Sequence, residues 1–226
     1  MDLGSTAAGI GALADDTRRR LYEYVVAQAD PVGREQAADA LGIALHKASF
    51  HLDRLVGEGL LEAEYRRLSG RSGPGAGRPS KLYRRADRQL TVSLPPRRYD
   101  LVGEILASAV GRVGEGASLE AALREAARAE GLDLGRGAGS GATGDGTLGA
   151  LAETLRSQGY EPRVTDDGVV LANCPFDALA RKHTALVCGL NRDFVQGVAD
   201  GLPCSAVEAR LDPAPGRCCV TAHRTG

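Results

Sequence analysis

Five cysteines, Cys174, Cys188, Cys204, Cys218 and Cys219, fall in the last quarter of a chain of 226 residues. Thiolates are soft ligands for zinc, copper and iron-sulfur clusters. The long gaps between these cysteines mean that only a folded domain can bring them to a common metal, and they lack the close CxxC pairs of zinc fingers and ribbons. Cys174 is followed by Pro175, a step that recurs beside iron-sulfur ligands, where proline removes an N–H and shapes the chain. The competing reading makes some of them small buried hydrophobes. Cys174 and His183 could also be cast as a thiol nucleophile and its base. Their separation on one helix fits that contact poorly and nothing supplies an orienting group, so the chain is not expected to be an enzyme.

A second chemistry is carried by cations. The net charge is only −1, but Arg66, Arg67, Arg71, Arg78, Lys81, Arg84, Arg85 and Arg88 stand against the single acid Asp87 between positions 66 and 88. Such a patch attracts phosphate irrespective of base sequence. No apolar stretch is long enough to span a membrane. The N-terminus lacks a basic region before an apolar run, so no signal peptide is read and a cytoplasmic location is expected. There, clustered cysteines more often bind metal or respond to redox change than form structural disulfides.

These groups need elements to position them. Periodicity predicts a helix over 15–28, with Leu21, Tyr24 and Val25 on one stripe, a short helix over Arg34 to Leu41 broken by Gly42, and a third from about Ala44 to Gly57 with Ala48, Leu52 and Leu55 inward. Two short helices around a glycine turn make a helix-turn-helix, whose second helix enters the major groove of DNA. Leu60 to Arg67 and Ser80 to Arg85 read as strands around the Gly/Pro-rich segment Ser69 to Pro79, which together form a wing. On the solvent side of the third helix, Lys47 and Arg54 are candidates for phosphate, and His46 or Ser49 for a base edge. Leu45 and Phe50 are candidates for thymine methyls or for packing against protein. His51 is read as structural, and Arg78 and Lys81 as anchors of the wing.

Beyond Pro95-Pro96, Tyr99 to Val113 carries Leu101, Val102, Ile105, Leu106 and Val110. It reads as a helix that pairs with its twin, giving a homodimer for a palindromic operator, or as a core helix within one chain. A further helix is expected over Ser118 to Glu130. Residues 135–146, GRGAGSGATGDG, read as a linker or exposed loop and lack a nucleotide-binding GxxxxGK[ST] pattern. Next come a helix to about Gln158, strands near Tyr160 to Thr165 and Val169 to Leu171, one helix from Pro175 to Gly197, and strands near Ala206 to Leu211 and Cys219 to Ala222. The expected class is α+β: a winged helix-turn-helix domain over 1–92, central helices over 93–134, the linker, and a small C-terminal α+β domain over 147–226.

The run LGIALHKASFHLDRLVGEGLL, residues 41–61, resembles the core of ArsR-like winged-helix repressors. It departs from them in having Ala44, where Ser or Thr commonly caps the recognition helix. GRPSKLYR, residues 77–84, resembles the wing of a related group of bacterial regulators. With these, NCPFDALARKHTALVCGLN (173–191) and ARLDPAPGRCCV (209–220) resemble SufR-type regulators over nearly the whole chain. That resemblance implies a repressor of iron-sulfur assembly genes whose operator affinity follows the occupancy or redox state of an iron-sulfur cluster, commonly [4Fe-4S]. It maps the cluster onto Cys174, Cys188 and Cys218, with Cys219 as the alternate of Cys218, since strand alternation sends that pair to opposite faces. The fourth ligand is left among Cys204, His183, a carboxylate and an external molecule. Zinc bound to the same domain and an organic effector in an apolar pocket are the alternatives.

Overall fold

The computed structural model describes residues 3–67, 79–114, 116–139, 147–203 and 206–225. The chain divides into two compact units, residues 1–92 and 93–226. No helix among the described residues is long and apolar enough to cross a membrane.

In the first unit, α2 (Asp16–Val26) starts where the Asp15 carboxylate accepts the Arg18 N–H at 2.9 Å, closing one of the amides that a helix start leaves open. After the two-residue strand β1 (Val32–Gly33) comes α3 (Arg34–Leu41). It stops at Gly42, whose φ of +65° is a left-handed geometry suited to glycine, and the Ile43 N–H reaches back to the Ala38 carbonyl. The recognition-type helix α4 (Leu45–Gly57) follows, then the hairpin β2 (Leu61–Arg66) and β3 (Ser80–Arg85). The sheet order is β1-β3-β2, all antiparallel, with Leu61 opposite Arg85 and Arg66 opposite Ser80. Leu21, Val25, Ala37, Ala48, Leu52, Leu55, Leu61 and Tyr83 close the core. Helix α1 (Leu3–Ala12) precedes all of this and was not anticipated. Its run of small residues shows no clear apolar stripe.

His51 is a buried residue of this unit, 7% exposed, with Nδ1 lacking a hydrogen-bond partner among the described residues. Burial lowers its pKa; Asp15 opposes that shift, while Arg18 and Lys47 add to it.

The second unit begins with α5 (Tyr99–Gly114) and α6 (Leu119–Gly139), the latter capped by the Ser118 hydroxyl accepting from the Ala121 N–H. Then come α7 (Thr147–Ser157), β4 (Pro162–Val164), β5 (Gly168–Leu171), α8 (Asp177–Lys182), α9 (Thr184–Gly201), β6 (Val207–Leu211) and β7 (Val220–Arg224). The antiparallel sheet runs β4-β5-β7-β6. Two expectations change. The single helix from Pro175 is two helices, interrupted at His183, whose φ and ψ of −134° and 52° are not helical. Residues 135–139, assigned to a linker, continue α6; residues 140–146 lie outside the described residues.

The reason α6 extends so far is its contact with α9. A Cβ placed on Gly131, Gly135, Gly197 or Gly201 would sit less than 3.0 Å from backbone of the opposite helix: Phe194, Val198, Arg128 and Leu132 respectively. Two GxxxG pairs thus let the backbones touch, a close approach no larger residue permits. Gly189, on the same α9, has nothing within 4 Å of such a Cβ.

Two measurements follow from this packing. Gly197→Ala is expected to destabilise the second unit by about 1–3 kcal/mol through overpacking, seen as a lower thermal midpoint, whereas Gly189→Ala holds or raises it through better helix propensity. For the first unit, the lowered pKa of His51 means that the unfolded chain binds the extra proton first. Its contribution to stability is full above the unfolded value of about 6.5 and declines as pH falls from there toward the lowered folded value. Denaturant unfolding across that range should show this slope in the parent chain and a flatter one in His51→Gln.

Candidate functional site

Helix α4 buries Ala48, His51, Leu52 and Leu55, a 3.6-residue stripe that turns the intervening side chains outward. His46 and Lys47 are exposed and Ser49 is half-buried. Leu45 is 42% and Phe50 66% exposed, so neither packs into the core of its own unit. The Phe50 ring stands edge-on to His51 with centroids 5.3 Å apart. Arg54 is also exposed, but its guanidinium meets Glu58 one turn later at 2.6 Å, which offsets its charge. No side chain caps the α4 N-terminus at Ala44.

Asp53, which sequence reasoning missed, ties this helix to the hairpin. Its Oδ1 accepts from Lys81 Nζ at 2.6 Å and from the Tyr83 hydroxyl at 2.8 Å. Burial works to raise the Asp53 pKa, but these hydrogen bonds and the Lys81 charge outweigh it and leave the carboxyl below its usual range. Burial, reinforced by Asp53, raises the Tyr83 pKa. Lys81 Nζ also sits 5.3 Å from the centroid of the Tyr83 ring, within cation–π range. Lys81 therefore joins the base of the wing to α4. Along the hairpin, Arg66 pairs with Glu64 at 2.9 Å and Arg84 with Glu62 at 2.8 Å. Lys47, Arg67 and Arg85 are exposed and make no ion pair with another described residue. Arg71 and Arg78 lie outside the described residues.

The cysteines are arranged otherwise than expected. Cys188 on α9 is bonded to Cys219, just before β7, across a separation of 31 residues. Cys174 and Cys218 are free thiols, the first half-buried and the second buried. Their sulfurs hydrogen-bond to each other. Among the described residues no group of three or more His, Cys, Asp or Glu side chains could hold a metal ion. The iron-sulfur cluster on Cys174, Cys188 and Cys218, and zinc in its place, are thus overturned. With Cys188 and Cys219 joined, two thiols remain among the described residues, too few for a [4Fe-4S] or a thiolate zinc site. His183, offered as a fourth ligand, is exposed at the α8–α9 break, and Cys204 lies outside the described residues. Cys218 and Cys219 do turn to different partners.

Each free thiol has a defined setting. The Cys218 N–H donates to the Leu171 carbonyl at 2.8 Å, and Arg97 donates to the Cys174 carbonyl at 3.1 Å and to Asn173 Oδ1 at 2.7 Å. Asn191, 1% exposed, donates from Nδ2 to Cys218 Sγ at 3.2 Å and accepts the Tyr160 hydroxyl at 2.5 Å. The Cys174 hydrogen bond lowers the Cys218 pKa. Burial opposes it, while the Val220 N–H, the Asn191 amide and the Cys219 N–H add to it. The hydrogen bond with Cys218 raises that of Cys174, as do burial and the Cys218 charge. Of the two, Cys218 is the sulfur whose surroundings favour the thiolate. Asn191 was legible as the one amide in the apolar face of α9, but its target was not.

A half-open groove of about 290 Å³ between α6 and α9 is lined by Glu120, Leu123, Arg124, Leu186, Arg192 and Asp193. Its charges pair with one another, Arg124 with Glu120 and Arg192 with Asp193.

Residues 13–64 match the sequence profile of a helix-turn-helix domain. No curated protein matches the chain. The matched stretch contains α2, α3 and α4, so the chain carries a helix-turn-helix domain, a regulatory module of the DNA-binding kind and not a catalytic one.

The Cys188–Cys219 disulfide closes a loop with a sequence separation of 31. For a loop of this length the chain-entropy account assigns a cross-link about 3–4 kcal/mol. Cys188→Ser is accordingly expected to lower the thermal midpoint of the second unit, and dithiol treatment of the parent chain to do the same.

Proposed function

We propose that the chain is a transcriptional repressor that binds double-stranded operator DNA as a homodimer, with α4 in the major groove and the β2–β3 wing along the backbone. The observation that carries this reading is the outward face of α4, where His46, Lys47 and Phe50 are exposed beside half-buried Ser49, on a helix held to the wing through Asp53. An exposed phenylalanine at 66% costs solubility unless something covers it, and a thymine methyl is a fitting apolar partner in a major groove.

Roles follow from charge and reach. Lys47 contacts phosphate, and His46 or Ser49 a base edge. Arg54, already paired with Glu58, contributes to phosphate attraction less than its type implies, because part of its charge is offset. Arg78 and Lys81 anchor the wing, Lys81 from its position against Asp53. The second copy is placed against α5. Leu101, Val102, Ile105 and Ala109 of that helix are buried, while Tyr99, Leu106, Val110 and Val113 remain exposed at 36–66% on the other side. A two-fold pair would present two α4 helices to a palindrome whose half-sites lie about one helical turn apart. The described cysteines, a disulfide and two thiols, give no cluster for this regulation to act through.

The test is selection of duplexes from a random library by the full-length protein, followed by affinity measurements on the enriched sequence. An inverted repeat is expected. Lys47→Ala should weaken binding to all duplexes and reduce the salt slope by roughly one, and Arg78→Ala with Lys81→Ala should weaken selected and random DNA alike. Phe50→Ala should instead relax preference at a single base position in each half-site. Failure to enrich any duplex, or affinities untouched by all of these changes, would contradict the reading.

A further inference from the structure

In the second unit the two cysteine pairs are joined by one peptide bond, between Cys218 and Cys219, yet they are in different oxidation states. Cys188 and Cys219 form a disulfide, and Cys174 and Cys218 remain thiols in sulfur–sulfur hydrogen-bond contact. A neutral buried thiol is a weak acceptor that needs few partners. Cys218 Sγ nevertheless accepts the Asn191 side-chain amide at 3.2 Å, and the Cys174 thiol and the backbone N–H groups of Val220 and Cys219 favour its thiolate. On its other side the amide oxygen of Asn191 accepts the Tyr160 hydroxyl at 2.5 Å, so both ends of the amide have partners. Tyr160 and Asn191, 2% and 1% exposed, are thus buried polar side chains whose joint effect is to hold an N–H on one sulfur. Convergent donors of this kind match a sulfur that carries or develops negative charge.

We propose that Cys174 and Cys218 are a peroxide-reactive pair in which Cys218 is the attacking sulfur and Cys174 the resolving thiol, so that a small hydroperoxide closes a second disulfide beside Cys188–Cys219. With hydrogen peroxide, the Cys218 sulfur, its proton lost to solvent, attacks one peroxide oxygen and the O–O bond breaks. The products are a sulfenic acid on Cys218 and hydroxide, which takes up a proton to become water. The Cys174 sulfur then attacks the Cys218 sulfur, losing its proton as the S–O bond breaks and a second water leaves. The two sulfurs lose two electrons and the peroxide oxygens gain them: two thiols and one peroxide give one disulfide and two waters. Cys218 is 2% exposed and Cys174 half-buried, so access is from the Cys174 side and favours small oxidants over bulky disulfides. The contact already made between the sulfurs places the resolving thiol where the sulfenic acid forms, ahead of further oxidation.

This inference is independent of DNA binding and is read without DNA. Full-length protein carrying Cys204→Ser, which removes the remaining thiol, is treated with equimolar hydrogen peroxide, alkylated, digested without reduction and mapped by mass spectrometry. A Cys174–Cys218 cross-link with Cys188–Cys219 retained is the expected result. Cys174 and Cys218 both alkylated after peroxide, over-oxidised Cys218 without a cross-link, or pairings shuffled among the four cysteines would each overturn it. A second variant, Cys174→Ser, treated with peroxide and a 1,3-diketone that traps sulfenic acids, should carry the adduct on Cys218. Folded variant with no adduct there would overturn the assignment of Cys218 as the attacking sulfur, and should that variant not fold, the mapping of the Cys204→Ser protein decides alone.

Discussion

The burial of Ala48, Leu52 and Leu55 along one stripe of α4 is the constraint from which the proposed DNA-facing surface follows. Once that stripe is packed against Leu21, Val25 and Tyr83, helical geometry leaves Leu45, His46, Lys47 and Phe50 outside, and none can turn inward without displacing a core residue. Asp53 adds the second restraint. A carboxylate on an otherwise exposed part of the helix accepts from Lys81 and Tyr83, so recognition helix and hairpin are held as one body. Recognition by such a surface depends on little rearrangement, and the restraint supplies that in the free protein.

Much of this was legible in the sequence because each element is specified locally. Arg34 to Leu41 is helical to the residue, stopped by a glycine in the left-handed region, and the hairpin strands Leu61–Arg66 and Ser80–Arg85 lie within a residue of the expected bounds. The wing's arginines were legible as a patch but not as pairs: Arg66 pairs with Glu64 along β2, and Glu62 lies opposite Arg84 on β3, an arrangement that only register reveals. Elsewhere local signals misled. Glycines at 131 and 135 lower helix propensity, and residues 135–139 were given to a linker, but tertiary contact with Gly197 and Gly201 more than offsets that weakness. The break at His183 carries no glycine or proline to announce it.

The cysteines show why composition is weaker evidence than placement. Their types suit a metal, and a resemblance over most of the chain points to a cluster. Which sulfurs meet is decided by α9, the turn after β5 and the approach to β7, three segments far apart in sequence. Those segments join Cys188 to Cys219 and leave Cys174 facing Cys218. The amide of Asn191 and the hydroxyl of Tyr160, neither of them a sequence motif, then make one of the two remaining sulfurs unlike the other.

Methylation interference on a selected duplex tests the central claim most directly, because a methyl on guanine N7 blocks the major groove without altering the phosphates. If α4 reads that groove, methylated guanines in two half-sites, about 10 base pairs apart between centres, should be depleted from the bound fraction. Guanine methylation without effect anywhere in the bound sequence, with binding otherwise intact, would contradict it.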